Sequence, residues 1–434
     1  MLKYTIETYG CRMNICDSEV VISLLKADGH QYAPTIDEVD VVILNSCSVR
    51  EDGHDKIFER LNLLDEQGFK GKIIVAGCFA SMISADVFTQ YSQVAAIVNP
   101  NSYRSLPRIF HAIEQGKHGI YEVQMDNKEI YAGIVPTRLI EDTTTAAITV
   151  MKGCDQFCTY CIEPFTRGRE TCKPMAAIIE EAKDIARHGF KEITLVGHII
   201  DKYSASENGE LYDFADLLEK VAETCPNQRI KFLSSHPLHF SAKTAEVMRK
   251  HSNIMAVVHL PVQSGCDRIL KLMHRGYTTD DYRRSVEQVR QAIPDISIIT
   301  DVMTGFCTES EQDFDQTLQL IHDTEPYDIN IFCFSMRKHT RAYDTLSDDV
   351  PAAEKMRRKT RVMDLREAMR EKYHRSDIGR QLSVLVERIE DGVCFGRDNR
   401  HRSVMFPDTG NMINDLVKVE IITGDAQNME GRAV

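Results

Sequence analysis

Three cysteines crowd into one short run, Gly153-Cys154-Asp155-Gln156-Phe157-Cys158-Thr159-Tyr160-Cys161. Thiols at i, i+4 and i+7 on a loop wrap one corner of a cubane cluster, whereas iron–sulfur clusters normally take four thiolates. The next cysteine, Cys172, stands eleven residues further on. Three thiolates leave one iron open, which suits a reacting ligand better than pure electron transport. Zinc is the alternative, but a structural zinc site would close with a fourth Cys or His at short spacing.

The pattern around this run restricts the architecture. From about residue 146, strands at 146–151, 192–196, 230–234, 254–259, 296–300 and 328–333 alternate with helices at 175–188, 212–222, 241–250, 266–273, 279–292 and 310–322. Six β/α units predict a partial barrel whose site lies at the strand C-termini. The cysteine run falls just past the first of those strands. The chain is therefore of the α/β class.

Upstream, strands Tyr4–Glu7, Asp40–Asn45, Lys72–Ala76 and Val94–Val98 alternate with helical segments, the first of them capped by Asp17 or Ser18. Such alternation predicts a parallel sheet covered on both faces. Cys11, Cys47 and Cys78 each fall one to four residues past a strand end, where ligands collect in open parallel sheets. Three unrelated core cysteines is the plain alternative. Residues 117–145 are irregular, contain Pro136 and read as a linker. The tail carries short strands at 381–389, 392–397, 402–406 and 416–422, which suggest a small OB-like barrel. Arg397, Arg400, His401 and Arg402 form a basic corner there, either facing nucleic acid or simply a solvated turn.

Thirteen cysteines, an odd number behind no signal-peptide profile, are poor material for a disulfide framework and point to metal or redox chemistry in the cytoplasm. No stretch approaches the roughly 20 apolar residues of a membrane span. With 52 basic and 65 acidic residues the net charge is −13, which argues at first against nucleic acid. The charge is uneven, however. Segment 1–130 is −6, 131–350 is −9 and 381–434 is −3, whereas 351–380 is +5. The basic helix near 351–375 and the tail arginines are the expected RNA-facing path.

Cys-x3-Cys-x2-Cys at the first strand of a partial β/α barrel resembles the radical S-adenosylmethionine (SAM) enzymes. More narrowly, the whole chain resembles the methylthiotransferases of that class, above all their MiaB-type, tRNA-modifying branch. The resembling segments are ETYGCRMN at 7–14, ILNSCSVRE at 43–51, AGCFA at 76–80, GCDQFCTYCIEPFTRGRE at 153–170, SSHP at 234–237, HLPVQSG at 259–265 and TDVMTGFCTES at 300–310. The tail resembles a TRAM domain. The implied division is an N-terminal methylthiotransferase domain (1–116), a linker (117–145), a radical SAM core (146–379) and a TRAM domain (380–434).

The resemblance implies two [4Fe–4S] clusters, an auxiliary one on Cys11, Cys47 and Cys78 and a second on Cys154, Cys158 and Cys161 that chelates SAM. It places Tyr160, Gly197, Gln263 and Gly305 at the border of that cofactor, although Tyr160 could equally lean on the barrel wall. One SAM would donate a methyl group, and a second would yield the radical that takes hydrogen from C2 of N6-(dimethylallyl)adenosine-37 in a tRNA anticodon stem-loop. An electron donor of flavodoxin or ferredoxin type, a monomeric state and no membrane partner complete the expectation. Other adenosine-37 modifications, a ribosomal-protein aspartate, or a non-catalytic iron–sulfur RNA-binding role are the alternatives. The chain departs from the family's Gly-Gln-Asn with Gly197-His198-Ile199, and from its Pro-Gly turn with Met336-Arg337-Lys338-His339-Thr340-Arg341. The remaining cysteines, Cys16, Cys172, Cys225, Cys266, Cys307, Cys333 and Cys394, read as structural.

Overall fold

A computed structural model describes residues 1–48, 51–124, 129–139 and 144–434, and the side chains of 51–54 are not described. Val49 and Arg50 of the 43–51 segment thus lie outside the described residues.

Six parallel strands form the first sheet, in the order Gln31–Tyr32, Lys3–Tyr9, Val41–Ser46, Lys72–Gly77, Val94–Val98, Ile120–Glu122. Successive side chains of a strand face opposite ways, and Val41–Leu44 shows it. Val41 and Ile43 join one buried cluster, Val42 and Leu44 another, so helices cover both faces. Part of the expected linker is structured. Ile120–Glu122 closes the sheet edge, and Tyr131, Ile134 and Leu139 pack on its core.

The second region places six parallel strands in two groups, Thr145–Thr149, Glu192–Val196, Arg229–Phe232 and Val257–His259, Ser297–Thr304, Asp328–Cys333. A single bridge between Ile230 and Ile254 links the groups. Helices Met175–Arg187, Phe214–Thr224, Ala242–Lys250, Thr279–Ala292 and Glu311–Thr324 lie between them in sequence, as a partial barrel requires. The tail is a closed five-stranded barrel, in the order Gln381–Glu390, Val393–Arg397, Ser403–Pro407, Met429–Ala433, Leu416–Gly424. Its last strand, Met-Glu-Gly-Arg-Ala, lacks apolar alternation and escaped the sequence reading. Gly431 explains why it still fits, since a Cβ there would meet Val419 Cγ1 at 2.4 Å and the Glu420 carbonyl oxygen at 2.5 Å.

Two seams lock the three regions together. At the first, Arg138 bonds Glu19 at 2.8 Å and Lys152 Nζ donates to Asn101 Oδ1 at 2.6 Å. Helix Arg12–Ala27 crosses this seam, its Cys16 packing on Ala147, Val196 and Leu233 of the barrel strands and the turns after them. At the second seam, Arg400 and Arg402 are buried and both bond Asp377, at 2.9 and 2.7 Å. Arg402 also donates to Ser297 Oγ at 3.1 Å. Arg400 and Arg402 of the basic corner are therefore turned inward, because a buried guanidinium needs carboxylates and the barrel end supplies them, whereas Arg397 stays 39% exposed and pairs with Glu387.

On the basic helix, Ala352–Ser376, Arg357 and Arg361 pair with Glu311, Arg358 with Glu309, Arg366 with Asp328 and Lys372 with Glu325. Of these only Arg358 is buried, so the helix is tied to the barrel while most of its cations stay exposed. Among the described residues no helix is long and apolar enough to cross a membrane.

Candidate active site

Strand register brings Cys11, Cys47 and Cys78 together. Tyr9, Ser46 and Gly77 stand side by side across three adjacent strands, and each cysteine follows within two residues. Cys11 is the N-cap of helix Arg12–Ala27, which starts five residues before the expected Asp17. Asn14 makes the earlier start work, its Oδ1 accepting the Cys11 N–H at 3.2 Å. Asn45 Nδ2 donates to the Asn14 carbonyl at 2.9 Å and to Ser18 Oγ at 2.8 Å, so a buried amide ladder fixes the helix on the sheet. Gly77 has φ +89°, and a Cβ there would meet Asn45 Oδ1 and the Ser46 carbonyl oxygen, each at 2.4 Å. No other residue type fits that turn.

The second triad lies on one continuous turn after Thr145–Thr149. Its entry is Gly153, with φ +72°, where a Cβ would meet the Arg169 carbonyl oxygen at 2.0 Å. The Cys154 N–H donates to the Gly168 carbonyl at 3.1 Å, Cys161 N–H to Cys158 O at 3.0 Å, and Thr159 N–H to Met273 O at 3.0 Å. The Ala342 N–H donates to Thr159 O at 2.7 Å, which brings the 336–341 segment onto this turn.

Each triad meets one buried guanidinium that the sequence reading did not assign to it. Arg167 Nε–H donates to Cys78 Sγ at 3.0 Å, while its other nitrogens grip Asp17 at 2.7 and 3.1 Å. Arg275 Nη1 donates to Cys158 Sγ at 3.4 Å, and its remaining nitrogens bond Tyr277 Oη and the Pro261 carbonyl. A sulfur that accepts from a guanidinium is stabilised as thiolate, the ligand form of cysteine. The Cys47 thiol donates to Cys11, and with Arg167 nearby this holds Cys11 down at about 6 and Cys47 well above the thiol range. Burial pushes Cys78 to about 12 and Cys154 to about 11, and raises Cys161 too. No disulfide forms among the described residues. Two convergent sets of three thiols, each with a cationic donor, fit iron–sulfur cubanes with one open iron apiece.

Glu163, two residues past Cys161, is within electrostatic reach of Cys11, Cys47, Cys78 and Cys161. Its carboxylate bonds His198 Nε2 at 2.9 Å. Burial alone would raise its pKa, yet His198 and Arg167 more than offset that and hold it below the usual carboxylate range. His198, a departure from the family pattern, is thus part of the site wall.

The other four sequence candidates have local partners. The Tyr160 ring meets Phe306 edge-on at 6.4 Å and packs in the cluster of Cys266, Ile269 and Phe334, so it leans on the barrel wall. Gly197 leaves room for Met151, whose Cγ would lie 2.6 Å from a Cβ, and Gly305, with φ +71°, does the same for Lys355 at 2.3 Å. Gln263 has φ +72° and bridges Val302 on the neighbouring strand. Arg167 and Lys173 are buried, and Lys173 pairs with Glu181 at 2.5 Å. Among the structural cysteines, Cys266 donates to Asp313 at 3.0 Å and Cys307 is buried in the core.

Comparison with known proteins agrees with this geometry. The Radical SAM superfamily matches residues 148–321, and Uncharacterized protein family UPF0004 matches 3–99. A tRNA-2-methylthio-N(6)-dimethylallyladenosine synthase of Parabacteroides distasonis is 36% identical over 100% of this chain and 95% of its own length. One of the same description from Chloroherpeton thalassium is 36% identical over 99% and 95%. Among solved structures, a radical S-adenosylmethionine methyltransferase from Kitasatospora setae shares the fold, with a TM-score of 0.58 at 13% identity over 79% of this chain and 74% of that one.

Proposed function

Because this chain belongs to the family of the tRNA-2-methylthio-N(6)-dimethylallyladenosine synthases, radical SAM enzymes by their central domain, we propose that it methylthiolates C2 of N6-(dimethylallyl)adenosine-37 in tRNA. The observation that carries the reading is the pair of thiol triads, one gathered at three adjacent strand ends and one on a single turn, each meeting a buried guanidinium. Cys154, Cys158 and Cys161 hold the [4Fe–4S] cluster and SAM of the radical SAM fold, and Cys11, Cys47 and Cys78 hold a second [4Fe–4S] cluster. SAM bound at the barrel cluster supplies the hydrogen abstraction at C2 after one-electron reduction, and a second SAM supplies the methyl group.

The protein's own part is positional. Gly197, Gln263 and Gly305 border SAM, while Arg275 and Arg167 each donate to one sulfur of a triad. An aromatic C–H bond offers no acidic proton, so acid–base groups would not serve there. The domains run 1–116, 146–379 and 380–434, with 117–145 as the linker between the first two. The protein works in the cytoplasm as a monomer, fed electrons by a donor of flavodoxin or ferredoxin type.

Anaerobically reconstituted protein, incubated with SAM, a reductant and tRNA carrying the prenylated adenosine, tests the reading. Nucleoside mass spectrometry should show the 2-methylthio derivative together with methionine release. Unchanged nucleosides in the presence of full iron loading would overturn it.

A further inference from the structure

On the outer lip of the barrel triad two phenyl rings are left uncovered. Phe157 lies between Cys154 and Cys158 and is 37% exposed, and Phe165, on the short helix Glu163–Thr166, is 43% exposed. Their rings meet edge to face with centroids 6.2 Å apart. The Arg169 guanidinium lies 5.2 Å over the Phe157 ring and bonds Asp155 at 2.9 Å. Phe157 has φ +47°, a conformation that costs a bulky residue strain, and the ring held in it still faces water. Such exposure at a strained position marks a surface kept for an occupant.

The surroundings select that occupant. Gln156, next in the turn, bonds His239 at 3.4 Å, and its carbonyl lies 3.3 Å from His274 Nδ1. The segment tied to this turn at Thr159 exposes Lys338, His339 and Arg341. Flat π-faces bordered by cations suit a nucleobase on the rings with its phosphates towards the cations. An apolar peptide or a lipid surface would instead need a larger continuous apolar patch.

We propose that Phe157 and Phe165, extended by Arg169, form a stacking platform for one unpaired base adjacent to the adenosine being modified. The inference rests on the RNA substrate proposed above and names the residues that hold its neighbouring nucleotide. Chemistry at C2 requires the target adenine to leave its stack. The base beside it then loses a stacking partner, and the platform replaces that partner.

A double-mutant cycle on the iron-replete protein tests this, with three synthetic anticodon stem-loops carrying the prenylated adenosine. One is intact, and the others have an abasic site at one or the other flanking position. Phe165→Leu should weaken binding of the intact RNA about tenfold, in keeping with the loss of one base–aromatic stack. Against one of the abasic RNAs the same substitution should cost less than about twofold, since the partner is already gone. Phe165→Tyr should restore binding, and Arg169→Gln should lose about threefold on the intact RNA. Equal binding of intact RNA by Phe165→Leu and the parent would overturn the platform, as would equal losses on all three RNAs. Should Phe165→Leu fail to retain iron, the exposed Arg169→Gln carries the same cycle. An iron-replete parent that binds none of the three RNAs would remove the substrate assignment, and this inference with it.

Discussion

The two cysteine triads present the same ligand set by opposite constructions. Cys154, Cys158 and Cys161 share one turn and are held mainly by main-chain bonds, to Gly168, to Cys158 itself and to Met273. Cys11, Cys47 and Cys78 come from three strand ends, aligned by sheet register and by the buried side chains Asn14, Asn45 and Ser18. A contiguous site survives the loss of one outside support, because the chain itself sets the sulfur positions. A composite site depends on every element that aims a sulfur. Its tolerance is that of its weakest part.

Removing one sulfur from each triad is the hardest test of that contrast. Cys47→Ala and Cys158→Ala should each retain about four of about eight irons per chain, and both should lose RNA methylthiolation entirely. Only Cys158→Ala should also abolish reductive cleavage of SAM. Iron analysis and methionine release measure both, and full iron in either variant would show that its triad is no ligand set.

Next in size is Arg167→Met, which strips Asp17 of its partner and Cys78 of its donor. Breaking a buried ion pair costs about 3–5 kcal/mol. Urea unfolding should show that loss, with the N-terminal iron departing while SAM cleavage persists. Adding Asp17→Leu should recover most of the stability, and no recovery would place the cost elsewhere.

Asn14→Ala and Asn45→Ala should each destabilise by about 1–3 kcal/mol, since buried amides would be left unpaired. Thr159→Val, which removes a single bond to the Leu272 carbonyl beside the barrel triad, should cost about 1 kcal/mol or less. A reversed order in denaturant titrations would break the contrast between composite and contiguous sites.

The smallest effect is one of pH and belongs to the barrel. Burial pushes Asp201 up to about 7, against the pull of the His236 N–H and the Ser235 hydroxyl. Between roughly pH 4 and 7 the folded chain therefore holds a proton that the unfolded chain has released. The stabilisation is full below pH 4 and is lost as pH rises through 7. Relative to the parent, Asp201→Asn should gain about 1 kcal/mol on going from pH 6 to pH 7. A constant difference across that range would show that Asp201 titrates normally.

Much of this was legible in the sequence. Strand–helix alternation located both α/β regions, and spacing located the barrel triad. Strand ends pointed to the N-terminal one, and the family resemblance chose it over three unrelated core cysteines. What stayed hidden was the destination of polar side chains. Asp17 and Ser18 look like helix caps, yet they sit inside helix Arg12–Ala27 because Arg167 and Asn45 need them. Arg400, Arg402 and Arg358 look like part of an RNA surface, yet they are buried against Asp377 and Glu309. A charged residue carries no local sign of whether water or a distant partner will satisfy it. Arg167 and Arg275 were missed as neighbours of the sulfurs for the same reason, since those contacts exist only once the regions are packed.

Arg167 also imposes a chronology. It stands eighty-nine residues after the sulfur it serves, so Cys78 waits for its donor until the first turn of the barrel has been synthesised and docked. The N-terminal sheet can fold early and line up its three thiols, but without that guanidinium the pocket is unfinished. The pocket of this half is thereby completed by the other, and a chain stalled before residue 167 would leave Cys78 without its donor.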